Sequence, residues 1–219
     1  MNLQNALHIL PYLGIPLLYF QIYYPIEIQL LLCLTLFIHA VKNRGWNFVV
    51  LFWSGAILYT YLHEYSAVNI TNFYSHGVGA QLPGNISLFF LLLWPNLIYM
   101  ILIISENISG RSFFSGKVSS RSYFSFMLLL GACSILLDAI LTKHGLLLRA
   151  NFGKEATSGL TFSFVIVEYL LCGTLYLMSF QGSLNKKLST LQKFIGMTLV
   201  GPFIILLQML ILAAFVPFL

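Results

Sequence analysis

The sequence predicts an all-α fold, a polytopic membrane bundle of about seven transmembrane helices with a candidate parallel internal repeat. Three observations predict it. Hydrophobic residues make up 59% of the 219-residue chain and charged residues only 8%, where a soluble domain carries roughly 25% charged residues. The mean hydropathy is +0.88, a value that so few charges could not offset in water. Apolar runs also recur along the chain at close to the roughly 20 residues a spanning helix needs.

The runs predict spans over Ala6–Tyr23, Ile26–Val41, Trp46–Tyr65, Ile86–Ser105, Tyr123–Thr142, Gly159–Phe180 and Phe194–Leu219. The second is the shortest. Pro11 and Pro16 fall inside the first, where neighbouring helices can compensate for a kink. That run lacks a basic leader and a small-residue cleavage site, so it is expected to be retained. The longest connection, Ser66–Asn85, contains Asn, Gly and Pro and is expected to include a re-entrant or interfacial stretch. Residues 1–219 thus read as a single integral membrane domain, with nothing left over for an appended one.

Lys42, Arg44, Arg111, Lys117, Arg121, Lys186, Lys187 and Lys193 fall in loops on the N-terminal side, against Lys143, Arg149 and Lys154 on the other. This excess predicts a cytoplasmic N-terminus and a C-terminus across the membrane. The formal net charge of +5 is spread over these short loops, which suits an anionic membrane surface and not a nucleic-acid footprint. Tyr19, Tyr23, Trp46, Tyr65 and Tyr123 stand at helix ends, as in an interfacial aromatic belt. Cys33, Cys133 and Cys172 all sit within apolar runs and read as small buried hydrophobes. No metal or other cofactor is expected.

A self-similarity organises the acids. Glu64 precedes Trp94 by 30 positions, and Asp138 precedes Glu168 by the same 30. Around them, Asn85-Ile86-Ser87-Leu88-Phe89-Phe90 aligns with Gly159-Leu160-Thr161-Phe162-Ser163-Phe164. The candidate units are 46–105 and 120–180, each a helix ending in a carboxylate, a polar loop and a second apolar helix. Two helices separate the copies, so the repeat is parallel, and Glu64 and Asp138 are expected to approach the same, non-cytoplasmic side.

Ionisable groups inside spanning helices are costly and raise a functional hypothesis. Asp138, Glu64 and Glu168 are therefore the candidate catalytic residues, with Trp94, Tyr74 and Tyr169 as candidate walls of a substrate cavity. The bland readings are a snorkelling or Lys143-paired Asp138, a solvated helix-end Glu64 and a Glu168 hydrogen-bonded within the bundle. His63 and His76 could relay protons to Glu64, although a single loop histidine is by default inert. The five histidines show no paired metal-ligand spacing, which disfavours a desaturase-like metalloenzyme. A phosphate loop, G-x-S-x-G and CxxC are all missing, and the last run has no Lys for a retinal Schiff base. Asn69-Ile70-Thr71, Asn85-Ile86-Ser87 and Asn107-Ile108-Ser109 match the glycosylation sequon, which matters only in a eukaryotic secretory membrane.

The pattern from Glu64 through Tyr74, Leu82, Asn85-Ile86-Ser87-Leu88 and Trp94 resembles the first half of the carotenoid 1,2-hydratase family of the bisanhydrobacterioruberin hydratase type. Leu137-Asp138 followed by Gly159-Leu160-Thr161-Phe162-Ser163-Phe164 is similar to its second half, so the resemblance covers about residues 60–180. Ser87 and Thr161 stand where that family has prolines, Phe164 where it has Asn, and Glu168 where it has Trp. A more distant likeness is to integral-membrane terpene and lycopene cyclases. The resemblance implies an enzyme that protonates an alkene and lets water or a second alkene quench the cation, without a cofactor. Asp138 would then be the general acid, Glu64 its partner and Glu168 a third member. The expected partners are an apolar, lipid-soluble polyene or terpenoid and membrane lipids. Two other classes fit the same acids: a small proton-coupled transporter or lipid-binding subunit, and a purely structural use as helix–helix hydrogen bonders.

Overall fold

The computed structural model describes residues 24–70, 74–77, 80–114, 120–149, 170, 173–182 and 188–215. The chain is mostly helical, with α1 (Pro25–Arg44), α2 (Trp46–Asn69), α3 (Leu88–Ser109), α4 (Ser120–Lys143), α5 (173–182) and α6 (Thr190–Phe215). Pro25 opens α1 at the first helical turn, where its missing N–H is no loss. Gly45, at φ +82°, is the only residue between α1 and α2. Ser87 caps α3, its hydroxyl accepting from the Phe89 N–H at 3.3 Å, and Gly110 closes it in the left-handed region.

Helix α3 is the centre of the molecule. It packs against α1, α2 and α4, while α2 packs in turn on α6. The apolar window of α3 is 83% buried, against 28% for α1 and 33% for α4. The outer helices turn large apolar side chains outward: Leu30, Leu34 and Ile38 on α1, Phe124, Leu128 and Leu136 on α4, Leu199, Phe203 and Leu210 on α6. Rows of exposed apolar side chains are what lipid contact requires and what a water-soluble surface limits. Aromatic rings fill the space between α2, α3 and α5, with Phe52 edge-on to Trp53, Tyr99, Tyr176 and Phe180. The Tyr176 hydroxyl donates to the Phe52 carbonyl at 2.7 Å and ties α5 to α2. Gly173 lets α5 approach Leu130 of α4, since any Cβ there would collide with that leucine.

Among the described residues, three helices are long and apolar enough to cross a membrane: α1, α3 and α4. This associates the chain with a membrane but gives three such helices instead of seven. The shortest expected run, Ile26–Val41, is one of them, because its helix extends at both ends to 20 residues. Trp46–Tyr65 is helical but falls outside the three, its hydropathy lowered by polar residues such as Asn47, Thr60, His63 and Glu64. Ala6–Tyr23 lies outside the described residues, as does Gly159–Phe180 apart from residue 170 and its end in α5. Phe194–Leu219 lies largely within α6, which begins four residues earlier.

The mostly helical chain also carries four short strands. Strand β1 (Tyr74–His76) pairs antiparallel with β4 (Leu147–Arg149), and β2 (Gln81–Leu82) pairs with β3 (Ile86–Ser87). The connection after α2, expected to include a re-entrant or interfacial stretch, carries these short β-elements, and Ile86 belongs to a strand instead of opening α3. Because β1 follows α2 and β4 follows α4, their pairing brings the C-terminal ends of those two helices to the same end of the molecule.

The β2–β3 turn, Pro83-Gly84-Asn85, is pinned to α2. Asn69 Nδ2 donates to the Gly84 carbonyl at 2.7 Å, and the Tyr61 hydroxyl donates to the Pro83 carbonyl at 3.1 Å. Gly84 has φ +81°, and a Cβ there would lie 2.6 Å from the Tyr65 ring. Gly84→Ala is therefore expected to destabilise the protein by about 1–3 kcal/mol, seen as a lower midpoint in thermal unfolding of the detergent-purified chain.

Candidate functional site

Glu64 lies on the inner face of α2, near its C-terminal end, and is 1% exposed. Among the described residues, two side chains bond to it. The Trp94 indole Nε1–H of α3 donates to Glu64 Oε1 at 3.1 Å, and His76 Nε2 of β1 lies 3.0 Å from Oε2. Residues 30 positions apart in the sequence, Glu64 and Trp94, are thus in direct contact. His76 is stacked on Phe90, with ring centroids 4.4 Å apart, so one face of the imidazole is covered by an aromatic ring.

The β2–β3 hairpin furnishes the other nitrogen. His76 Nδ1 lies 3.1 Å from the Ser87 backbone N–H donor and 3.1 Å from the Asn85 carbonyl. These neighbours serve two different forms of the ring. With Nδ1 bare, Ser87 N–H donates to it and Nε2–H donates to Glu64. With Nδ1 protonated, Nδ1–H donates to the Asn85 carbonyl, and Nε2 can accept a proton from a neutral Glu64 carboxyl. Trp94 is a donor only, so its bond to Oε1 survives whichever partner of Oε2 holds the proton. Either tautomer of the imidazole thus finds a partner at each nitrogen, at the cost of the Ser87 N–H bond when Nδ1 carries the proton.

Trp94 is the candidate wall residue that the structure joins to Glu64. Asp138 is half-buried on α4 and is not among the described residues that hydrogen-bond Glu64, His76 or Trp94. Tyr74 is placed by its backbone alone, in β1 opposite Arg149. Glu168 and Tyr169 lie outside the described residues.

Several polar contacts were not anticipated by spacing. Of the two histidines named as possible relays to Glu64, His76 is a direct partner, brought there by the hairpin fold. At the other end of α3, Arg44 forms a salt bridge with Glu106, whose Oε1 accepts from Ser112 Oγ at 2.9 Å and the Phe113 N–H at 2.7 Å. The Arg44 guanidinium also lies over the Phe48 and Phe114 rings, 5.4 Å and 5.0 Å from their centroids. Within the helices, Asn96 Nδ2 donates to Gln29 Oε1 at 2.9 Å, and His39 Nδ1 lies 3.0 Å from the Tyr99 hydroxyl. Among the described residues no group of three or more His, Cys, Asp or Glu is disposed to hold a metal ion.

In comparisons with known proteins, no family model, curated protein or solved structure matches the chain.

Removing the Glu64 carboxyl leaves His76 and the Trp94 N–H with a buried partner missing. Glu64→Leu is expected to cost about 3–5 kcal/mol. Glu64→Gln, which retains an acceptor for Trp94, is expected to cost only about 1–2 kcal/mol. Thermal unfolding midpoints of the two variants in detergent would rank them.

Proposed function

We propose that the chain is an integral-membrane enzyme that modifies an isoprenoid or carotenoid polyene by acid-initiated carbocation chemistry, hydration or cyclisation. The observation that carries this reading is the buried Glu64–His76–Trp94 cluster, a carboxyl bonded to an imidazole and an indole at the edge of an apolar helix core. It is supported by the resemblance between residues 60–180 and the carotenoid hydratases. The reading places such an enzyme in a bundle of about seven spans, with its N-terminus cytoplasmic and the Glu64 end on the opposite side.

The reaction asks for a donor that keeps its proton at neutral pH, and burial among apolar groups disfavours the charged carboxylate. Glu64 is the more deeply enclosed of the two described carboxyls, 1% exposed beside a half-buried Asp138, so the donor role moves to Glu64. His76 returns the proton to Glu64 after each turnover, its Nδ1 side supported by Ser87 and Asn85 in either form. Trp94 fixes the carboxyl so that Oε2 alone exchanges protons. Asp138 and Glu168 remain as the second carboxylates, which stabilise the cation or take its proton when the reaction ends in an alkene. The aromatic faces of Trp94, Tyr74 and Tyr169 are suited to lining the path of a cation. The substrate enters sideways from lipid, so no soluble domain is needed.

The test is expression in a lycopene-producing host, with pigments separated by chromatography. Glu64→Gln is expected to lower product formation by roughly a hundredfold or more, at unchanged protein level in the membrane. Asp138→Asn is expected to lower it less. Full conversion by Glu64→Gln would remove the proposed proton donor and with it the reading.

A further inference from the structure

Thr60 lies one helical turn before Glu64 on α2, an i, i+4 pair whose side chains share one face. It is 1% exposed, and its hydroxyl has no hydrogen-bond partner among the described residues. A threonine or serine within a helix ordinarily satisfies its hydroxyl on a carbonyl of the preceding turn. This chain does so repeatedly. Ser54 bonds to the Val50 carbonyl and Ser66 to the Leu62 carbonyl on the same helix, and Ser134 and Thr198 follow the same pattern elsewhere. Thr60 departs from it, as Ser105 and Thr174 do elsewhere, and among these it is the one a turn away from the candidate proton donor. A buried hydroxyl left unpaired costs about 1–3 kcal/mol, so its retention calls for a ligand.

We infer that the Thr60 hydroxyl and the Glu64 carboxyl together hold the water molecule that quenches the carbocation, making the reaction a hydration. This rests on the reading of Glu64 as proton donor and adds what the cation meets next. A water needs two to four polar partners to occupy an otherwise apolar site, and Thr60 and Glu64 supply two on adjacent turns. The step balances. The Glu64 proton forms a new C–H bond from the alkene π pair, and the water oxygen forms a C–O bond to the resulting tertiary cation. The water then releases one proton to the Glu64 carboxylate, directly or through His76. The net change is addition of H and OH across one double bond, with no oxidant or reductant. Water positioned there also intercepts the cation before an internal alkene can close a ring, so Thr60 sets hydration against cyclisation.

The experiment uses the full-length chain in membranes of a lycopene-producing host, with lycopene as the probe. Products are resolved by chromatography and mass and normalised to the amount of protein in the membrane. The wild type is expected to yield a tertiary alcohol carrying the oxygen of isotopically labelled water. Thr60→Val keeps the shape and removes only the hydroxyl; it is expected to lower the alcohol by about tenfold or more, the worth of one good hydrogen bond, and to raise the share of ring-closed or rearranged product. Thr60→Ser is expected to restore the alcohol. If Thr60→Val lowers the protein level, Thr60→Ala against Thr60→Ser gives the same comparison per molecule. Equal alcohol from Thr60→Val and wild type, or a wild-type product that is only cyclic, overturns the water site and leaves Glu64 as donor. Wild-type-like activity of Glu64→Gln, or no conversion of lycopene by the wild type, overturns both.

Discussion

A carboxyl buried inside an apolar bundle must be given partners, and much of the described architecture at one end of this protein exists to supply them to Glu64. The desolvation of a single carboxylate costs several kcal/mol unless hydrogen bonds replace the lost water. Trp94 comes from the neighbouring helix, which is straightforward. His76 has to be delivered by the connection between α2 and α3, and that connection is accordingly not a slack loop. The β2–β3 turn places Asn85 and Ser87 on His76 Nδ1, the left-handed Gly84 and Asn85 make the turn, and Asn69 and Tyr61 fasten it back onto α2. The β1–β4 pairing then ties the same connection to the one after α4. Each contact depends on the one before, starting from one acid.

The rest of the bundle follows a complementary rule. Between lipid-like surroundings, helices gain little from apolar contact alone, so packing and a few interhelical hydrogen bonds must specify their alignment. Gln29–Asn96 and His39–Tyr99 join α1 to α3 at two levels, and Arg44–Glu106 fixes their far ends. Tyr176–Phe52 performs the same task for α5 and α2. The two ends of α3 thus differ in kind. At the Arg44 end the guanidinium meets a Glu106 carboxylate that Ser112 and the Phe113 N–H also bond, and the cluster acts as a clamp. At the Glu64 end the imidazole nitrogens have partners for either tautomer.

Helices were legible in the sequence because apolar run length is a direct physical requirement of crossing a bilayer. The described helices α1 to α4 overlap the expected runs within a few residues. Two things were not legible. Run length alone reads α2 as another span, yet polar residues such as Thr60, His63 and Glu64 lower its hydropathy, and its inner face is buried against α1, α3, α5 and α6. The short strands were invisible because two- and three-residue pairings leave no periodicity to read; Tyr74–His76 becomes a strand only by meeting Leu147–Arg149 far along the chain. The Glu64–Trp94 pairing was partly legible, since the 30-residue spacing marked both residues. The geometry that makes them partners lay in the fold. Glu106 escaped notice because an acid at the end of an apolar run reads as solvated until Arg44 is found beside it.

The departure at Ser87 shows how such details bear on chemistry. The resemblance to the carotenoid hydratases expects proline at this position, and a proline has no backbone N–H. Here that N–H is one of the two groups on His76 Nδ1, and the Ser87 hydroxyl additionally caps α3. A prolyl counterpart could cap neither way and could not hold a bare Nδ1, so an imidazole placed there would lose the support for one of its two forms. Ser87 and His76 are therefore coupled: one backbone N–H decides whether a bare Nδ1 of this imidazole has a donor.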